Sequence, residues 1–314
     1  MAATHPFESL SRQLRQGDVR ALSRLITQVE NRAPGYERLL DGLHPHTGDA
    51  LRLGVTGPPG AGKSTLVERL TRAHRAQGRT VAILACDPTS PFSGGALLGD
   101  RVRMAEVADD AGVFIRSVAS RDSLGGLSRA TEEVSLLFEA FGFDVVLLET
   151  VGVGQAEVDV MHLADTVVVA IVPQSGDVVQ AMKAGLMEIA DVFCINKSDQ
   201  PGANLAEQSL HQLLSLSMRD WPPPIVQTVA SRGEGIEALA QAIARHQAHL
   251  GEAGLRARRA KRAAHLLRQT VEARLHRDLW DAPRRARLDE LSQRVAEKRA
   301  APYAAAAQLL EALR

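Results

Sequence analysis

The sequence predicts an α/β fold: a mostly parallel sheet covered by helices, with helical extensions at both ends. Three observations predict it. Short apolar runs alternate with helical stretches from Leu51 onward. Those runs are apolar at successive positions, the pattern of strands buried on both faces. The first run also passes through a glycine-rich loop straight into a helical stretch, the order of a phosphate-binding unit. The resulting organisation is a helical segment over 1–50, an α/β domain over 51–250 and a helical arm over 251–314.

In the first segment Leu22, Leu25, Ile26 and Val29 recur at helical spacing, and Pro34-Gly35 ends the pattern. Leu39, Leu40 and Leu43 predict a second short helix before His44-Pro45-His46, a turn whose histidines read as solvated. Strands are then predicted over 51–56, 80–86, 113–118, 144–149, 166–172, 191–195 and 225–229, with helices over 63–77, 128–141, 178–189, 203–218 and 235–249. From about Gly251 the strand signal stops. Helices broken at Pro283 and Pro302 follow, with basic residues outnumbering acidic ones about two to one. Acids are interleaved and aromatics nearly absent, so this reads as a solvated face or an arm packing on a second copy, not as a nucleic-acid surface.

Composition narrows the class. Lys plus Arg and Asp plus Glu are both 37, so no global charge points to nucleic acid or membrane. No stretch approaches the roughly 18 apolar residues that a membrane span needs, and the start lacks a signal-peptide core. The two cysteines, Cys86 and Cys194, each lie in an apolar run and read as core thiols of a reducing compartment. The expected location is the cytoplasm.

Gly57-Pro58-Pro59-Gly60-Ala61-Gly62-Lys63-Ser64, followed by Thr65, matches G-x-x-x-x-G-K-[ST]. A loop without bulky side chains lets backbone N–H groups turn inward around a phosphate, and the following helix aims its positive end at the same anion. Lys63 is expected to reach the outer phosphates, and the Ser64 hydroxyl to take one place on Mg²⁺. Asn196-Lys197-Ser198-Asp199 ends a later strand as N-K-x-D, the guanine-recognition pattern. A carboxylate at Asp199 accepts from both guanine donors, which adenine lacks, so GTP is expected over ATP. Asn196 is expected to tie this loop to the phosphate loop, with the Lys197 stem along the base. Val229-Ala230-Ser231 stands where backbone groups would meet the guanine oxygen.

Carboxylates at the other strand ends complete the reading. Glu149 stands in the acidic place of the Asp-x-x-Gly motif, with Gly152 offering its N–H to the γ-phosphate. Asp87 and Asp100 are further candidates for Mg²⁺ or its waters. Gln155 is a candidate for placing the attacking water, although it lies one residue past the usual glutamine.

The strings GPPGAGKST, DPTSPFSGGALLGDRVRM, ETVGVGQAEVDV, VPQSGDVVQAMKAGLMEIADVFCINKSD and the GEGI turn resemble the MeaB/ArgK family of GTPases, which includes the human methylmalonic aciduria type A protein. The similarity runs from about residue 20 to about residue 250. It implies a GTPase that gates loading of an adenosylcobalamin-dependent acyl-CoA mutase, typically methylmalonyl-CoA mutase, and ejects damaged cofactor. It also implies a homodimer held partly by C-terminal helices, and nucleotide-sensitive segments at Asp87–Asp100, Glu149–Asp159 and Gln174–Lys183. Within these, Lys183 becomes a candidate for reaching the mutase or Asp159 and Glu157. Hydrolysis is expected to be slow alone, because no catalytic arginine is evident near the γ-phosphate, and faster with the partner. Two other readings stand beside this one. A metallochaperone GTPase of the UreG or HypB type needs a Cys/His cluster, and a kinase of basic amino-acid transport needs ATP, which Asn196-Lys197-Ser198-Asp199 argues against.

Overall fold

The structure is a computed structural model describing residues 7–88, 104, 106–120, 126–150, 156–173, 185–216, 219–280 and 282–311. Two compact units divide the chain, residues 1–263 and 264–314.

The first unit is built on a seven-stranded sheet. Its strands are β1 (Leu51–Thr56), β2 (Val81–Pro88), β3 (Val113–Ser120), β4 (Val145–Thr150), β5 (Thr166–Ile171), β6 (Val192–Asn196) and β7 (Ile225–Thr228). Their order in space is β3-β2-β4-β1-β5-β6-β7, and every pairing is parallel. Each predicted strand forms, with its ends shifted by two residues at most. The parallel arrangement follows from the sequence pattern. Parallel strands need crossovers, the crossovers place helices on the faces, and both faces of each strand must then be apolar. Accordingly β4, β5 and β6 are buried at every position.

Side chains alternate between two cores, one on each face. On one face Val146 and Leu148 join Leu14, Leu22, Leu25, Ile26 and Val29 of the N-terminal helices α1 (Glu8–Arg15) and α2 (Val19–Glu30), together with α3 (Tyr36–Leu43) and α5 (Gly126–Phe141). On the other, Leu53, Val55, Val145 and Leu147 meet Leu66, Val67 and Leu70 of α4 (Lys63–Ala76). Leu239, Ala242 and Ile243 of α9 (Ile236–Leu279) join that second core. Short helices α6 (Ala156–Asp159) and α7 (Leu186–Ile189), with the longer α8 (Ala203–Ser215), lie in the connections after β4, β5 and β6. The N-terminal segment therefore contributes to the core of the first unit. Its first helix, α1, is one that apolar spacing alone did not separate. Asp18 caps α2 by accepting from the N–H groups of Arg20 and Ala21 at 2.8 and 3.2 Å.

The helix predicted over 235–249 breaks, as expected, at Gly251, whose φ of 55° and ψ of −171° are not helical. A second helical stretch of α9 follows to Leu279. In the second unit α10 (Ala282–Ala296) packs against α11 (Pro302–Glu311). Pro302 opens α11, the place where a missing N–H costs least.

Candidate functional site

The candidate site lies where β1, β4, β6 and β7 end, the edge at which parallel α/β sheets carry their ligands. Gly57 leaves β1 with φ of +139°, and a Cβ there would fall 1.9 Å from the Ala170 carbonyl oxygen of β5. Only glycine lets the loop pass so close. Gly62 caps α4 in the left-handed region, φ +85°, and a Cβ would fall 2.3 Å from Asn196 Nδ2. Glycines in the 57–62 loop thus answer to neighbours on two other strands, as well as to the turn itself.

Lys63, the first residue of α4, is buried, and its ammonium donates to the carbonyl oxygens of Gly57 at 2.7 Å and Pro58 at 2.9 Å. Burial lowers its pKa, while Glu149 and Glu157 oppose that fall. Ser64 Oγ donates to Glu149 Oε1 at 2.5 Å. The register of β1 against β4 brings this about, since it sets Glu149 directly opposite Val55, two residues before the loop. A hydroxyl and a carboxylate oxygen so close form the hard-oxygen donor pair that Mg²⁺ accepts. Pro59, Gly60, Ala61 and Thr65 lie in the same loop and first helical turn.

Asn196 ends β6 and joins three segments. Its Nδ2 donates to the Ala61 carbonyl at 2.8 Å, and its Oδ1 accepts from Thr228 Oγ1 and from the Ala230 N–H, both at 3.1 Å. Lys197 follows with a left-handed backbone, φ 56°, unusual for a side chain of this size. Asp199 is 3.5 Å from Arg232 Nη1, and both side chains are largely exposed. Val229 pairs with Glu234 across the turn, and residues 230–232 form a short 3₁₀ helix.

Other predicted residues are placed less fully. Asp87 belongs to the end of β2, opposite Ala119 of β3 in the register. Asp100, Gly152, Gln155 and Lys183 lie outside the described residues, as does most of the three segments that the family resemblance marks as nucleotide-sensitive. Glu157 is described. Burial raises its carboxyl pKa, and Lys63 opposes that rise. Sequence reading gave Glu157 no part near Lys63. Nor did it find Arg232 beside Asp199, or Thr56, which accepts from Thr150 Oγ1 at 2.9 Å under the loop. None of these pairings has a local signal. Both cysteines are buried, and burial pushes the Cys194 thiol up to about 12. Among the described residues no three His, Cys, Asp or Glu side chains gather into a metal site, and no helix is long and apolar enough to cross a membrane.

A parallel sheet with this loop between its central strand and the next helix defines a P-loop nucleotide-binding fold. Comparisons with known proteins narrow the class. Residues 22–284 match the family described as methylmalonyl Co-A mutase-associated GTPase MeaB. A Pyrococcus abyssi protein is 44% identical over 310 residues, 97% of this chain and 96% of its own length. The Escherichia coli GTPase ArgK is 42% identical over 243 residues, 74% of this chain and 73% of its own. A solved structure titled LAO/AO transport system kinase is 30% identical, covers 99% of both chains and superposes with a TM-score of 0.75. The chain belongs to the MeaB family and is a GTPase.

Proposed function

We propose that this GTPase gates adenosylcobalamin loading and repair of a cobalamin-dependent acyl-CoA mutase, methylmalonyl-CoA mutase or a close relative. The observation that carries the reading is the match to a mutase-associated GTPase family over residues 22–284. Its chemistry follows from the residues at the strand ends. N–H groups of Gly57 to Ser64 and the N-terminal end of α4 hold the polyphosphate. Lys63 turns its ammonium from its own loop's carbonyls to the outer phosphates. Asn196, Lys197 and Asp199 select guanine, with backbone groups of Val229 to Ser231 on the base oxygen. Ser64 and Glu149, joined by Asp87 and Asp100, hold Mg²⁺ or its waters. When bound, that ion neutralises developing phosphate charge. Gly152 donates to the γ-phosphate, and Gln155 orients the attacking water.

Coupling to the mutase needs segments with two arrangements, one held by the γ-phosphate and the other released by hydrolysis. The mutase responds only insofar as it binds the two with different affinity. The chain acts as a dimer in this reading. Leu267, Val271 and Leu275 support it, because they recur every fourth residue on α9 and are all more than half exposed.

The test is GTP turnover, with ATP and EDTA arms, alone and with candidate cobalamin-dependent mutases added singly. A rise of at least about tenfold with one mutase is expected, together with loss of turnover in EDTA. If no mutase raises the rate while slow GTP turnover persists, the mutase assignment fails and the GTPase stands. Stoichiometric bound nickel or zinc would favour a metallochaperone instead. For the dimer, light scattering of Val271→Glu is expected to show monomer where the natural chain shows dimer. A natural chain that runs as monomer would remove that part of the reading.

A further inference from the structure

Arg69 lies in the second turn of α4, six residues beyond Lys63, and belongs to neither recognition motif. Its guanidinium reaches across to the turn after β7, where Nε donates to the Ala230 carbonyl at 2.9 Å and Nη2 to the Ser231 carbonyl at 2.8 Å. Two adjacent carbonyls held by one planar fork fix two peptide planes at once, which a flexible ammonium cannot do. In a trans peptide the carbonyl and the following N–H point opposite ways. Holding the Ala230 carbonyl therefore aims the Ser231 N–H away from α4. Asn196 holds the same turn from the other side, through the Ala230 N–H at 3.1 Å, and also holds the phosphate loop, through the Ala61 carbonyl at 2.8 Å. The contacts close a ring that runs from the phosphate loop through Asn196 and the 230–231 turn to Arg69, and back along α4 to the loop. Apolar packing backs the ring, since Ala230 and Ile236 share a core with Leu66 and Leu70 of α4.

We propose that Arg69 is a positioning residue for base selection: it fixes the 230–231 backbone that meets the guanine oxygen and makes base and phosphate subsites one rigid body. This rests on the guanine reading above. The residue touches no nucleotide in this scheme and acts through the turn.

The test compares three ligands on the full chain and on Arg69→Ala, Arg69→Gln and Arg69→Lys. GDP and inosine diphosphate both present the base oxygen, whereas inorganic pyrophosphate reads the phosphate loop alone. Arg69→Ala is expected to weaken GDP and inosine diphosphate together by roughly tenfold, the worth of about one charge-assisted hydrogen bond, with pyrophosphate unchanged. Arg69→Lys, able to reach one carbonyl, is expected to fall between. Equal weakening of all three ligands would mean a general loosening of α4, and no weakening would mean an idle contact; either overturns the inference. Because Arg69 is only half-buried, the variants are expected to fold. Should Arg69→Ala not fold, the same comparison on Arg69→Gln decides. If the natural chain binds ADP as tightly as GDP, the guanine reading itself fails, and a shift confined to base-bearing ligands cannot then be assigned to guanine.

Discussion

At the scale of single residues, Asp199 carries the sharpest chemical distinction. Its carboxylate is largely exposed beside Arg232, at 3.5 Å, so the charge is available without a large desolvation cost. Asp199→Asn replaces an acceptor by a donor, which suits xanthine better than guanine. GTP affinity is expected to fall by at least about 10²-fold while xanthosine triphosphate gains, as hydrogen-bonding sites discriminate by about 10⁴ or more. Competition binding of the two triphosphates checks this, and an unchanged preference would remove Asp199 from base recognition. Lys197 beside it keeps φ at 56°, a conformation that a surface turn seldom asks of lysine.

At the scale of elements, buried charge fixes how helices meet the sheet. Arg52 of β1 is fully buried and bonds two carboxylates of α5: Glu132, and Glu139 at 2.6 Å. Burial alone would lower its pKa, but the two acids outweigh that and raise it, so the guanidinium stays charged. Arg262 extends the cluster to Asp165 at 3.0 Å, and Arg258 binds Asp191 through two bonds of 2.7 Å. These contacts hold the stretch of α9 just past Gly251 against the starts of β5 and β6. Removing one member of such a cluster leaves its partners charged in the core. Arg52→Ala is therefore expected to cost ~3–5 kcal/mol, measured by urea unfolding. A loss under about 1 kcal/mol would mean that water reaches the acids.

At the scale of the whole molecule, stability should depend on pH through one buried imidazole. His74 of α4 is buried, with no hydrogen-bond partner for Nδ1. Burial, helped by the Arg79 charge, pushes its pKa down to about 4. The unfolded imidazole titrates near 6.5, so between these values the unfolded chain binds more protons and stability falls as pH falls. His74 thus contributes fully above about pH 6.5, and roughly 3 kcal/mol is lost by pH 4. Thermal melts of His74→Leu are expected to lose less stability over that window than the natural chain. Parallel curves would show that His74 is protonated in the fold.

The phosphate loop, the seven strands and Asn196-Lys197-Ser198-Asp199 were legible because each depends on spacing within a few residues. Strand burial on both faces, the glycine loop and the helix start are all local consequences of apolar order and backbone freedom. The sequence alone therefore determined an α/β nucleotide-binding fold and placed the loop and Asn196-Lys197-Ser198-Asp199 at the ends of its strands. Only the tertiary structure decided that Glu149 meets Ser64 across 85 residues, that Arg69 holds a turn 161 residues away, and that the helical stretch after the Gly251 break brings Arg258 and Arg262 onto the sheet. These pairings follow from strand order and register, and nothing in the spacing of an isolated arginine or acid records which distant strand end it will face.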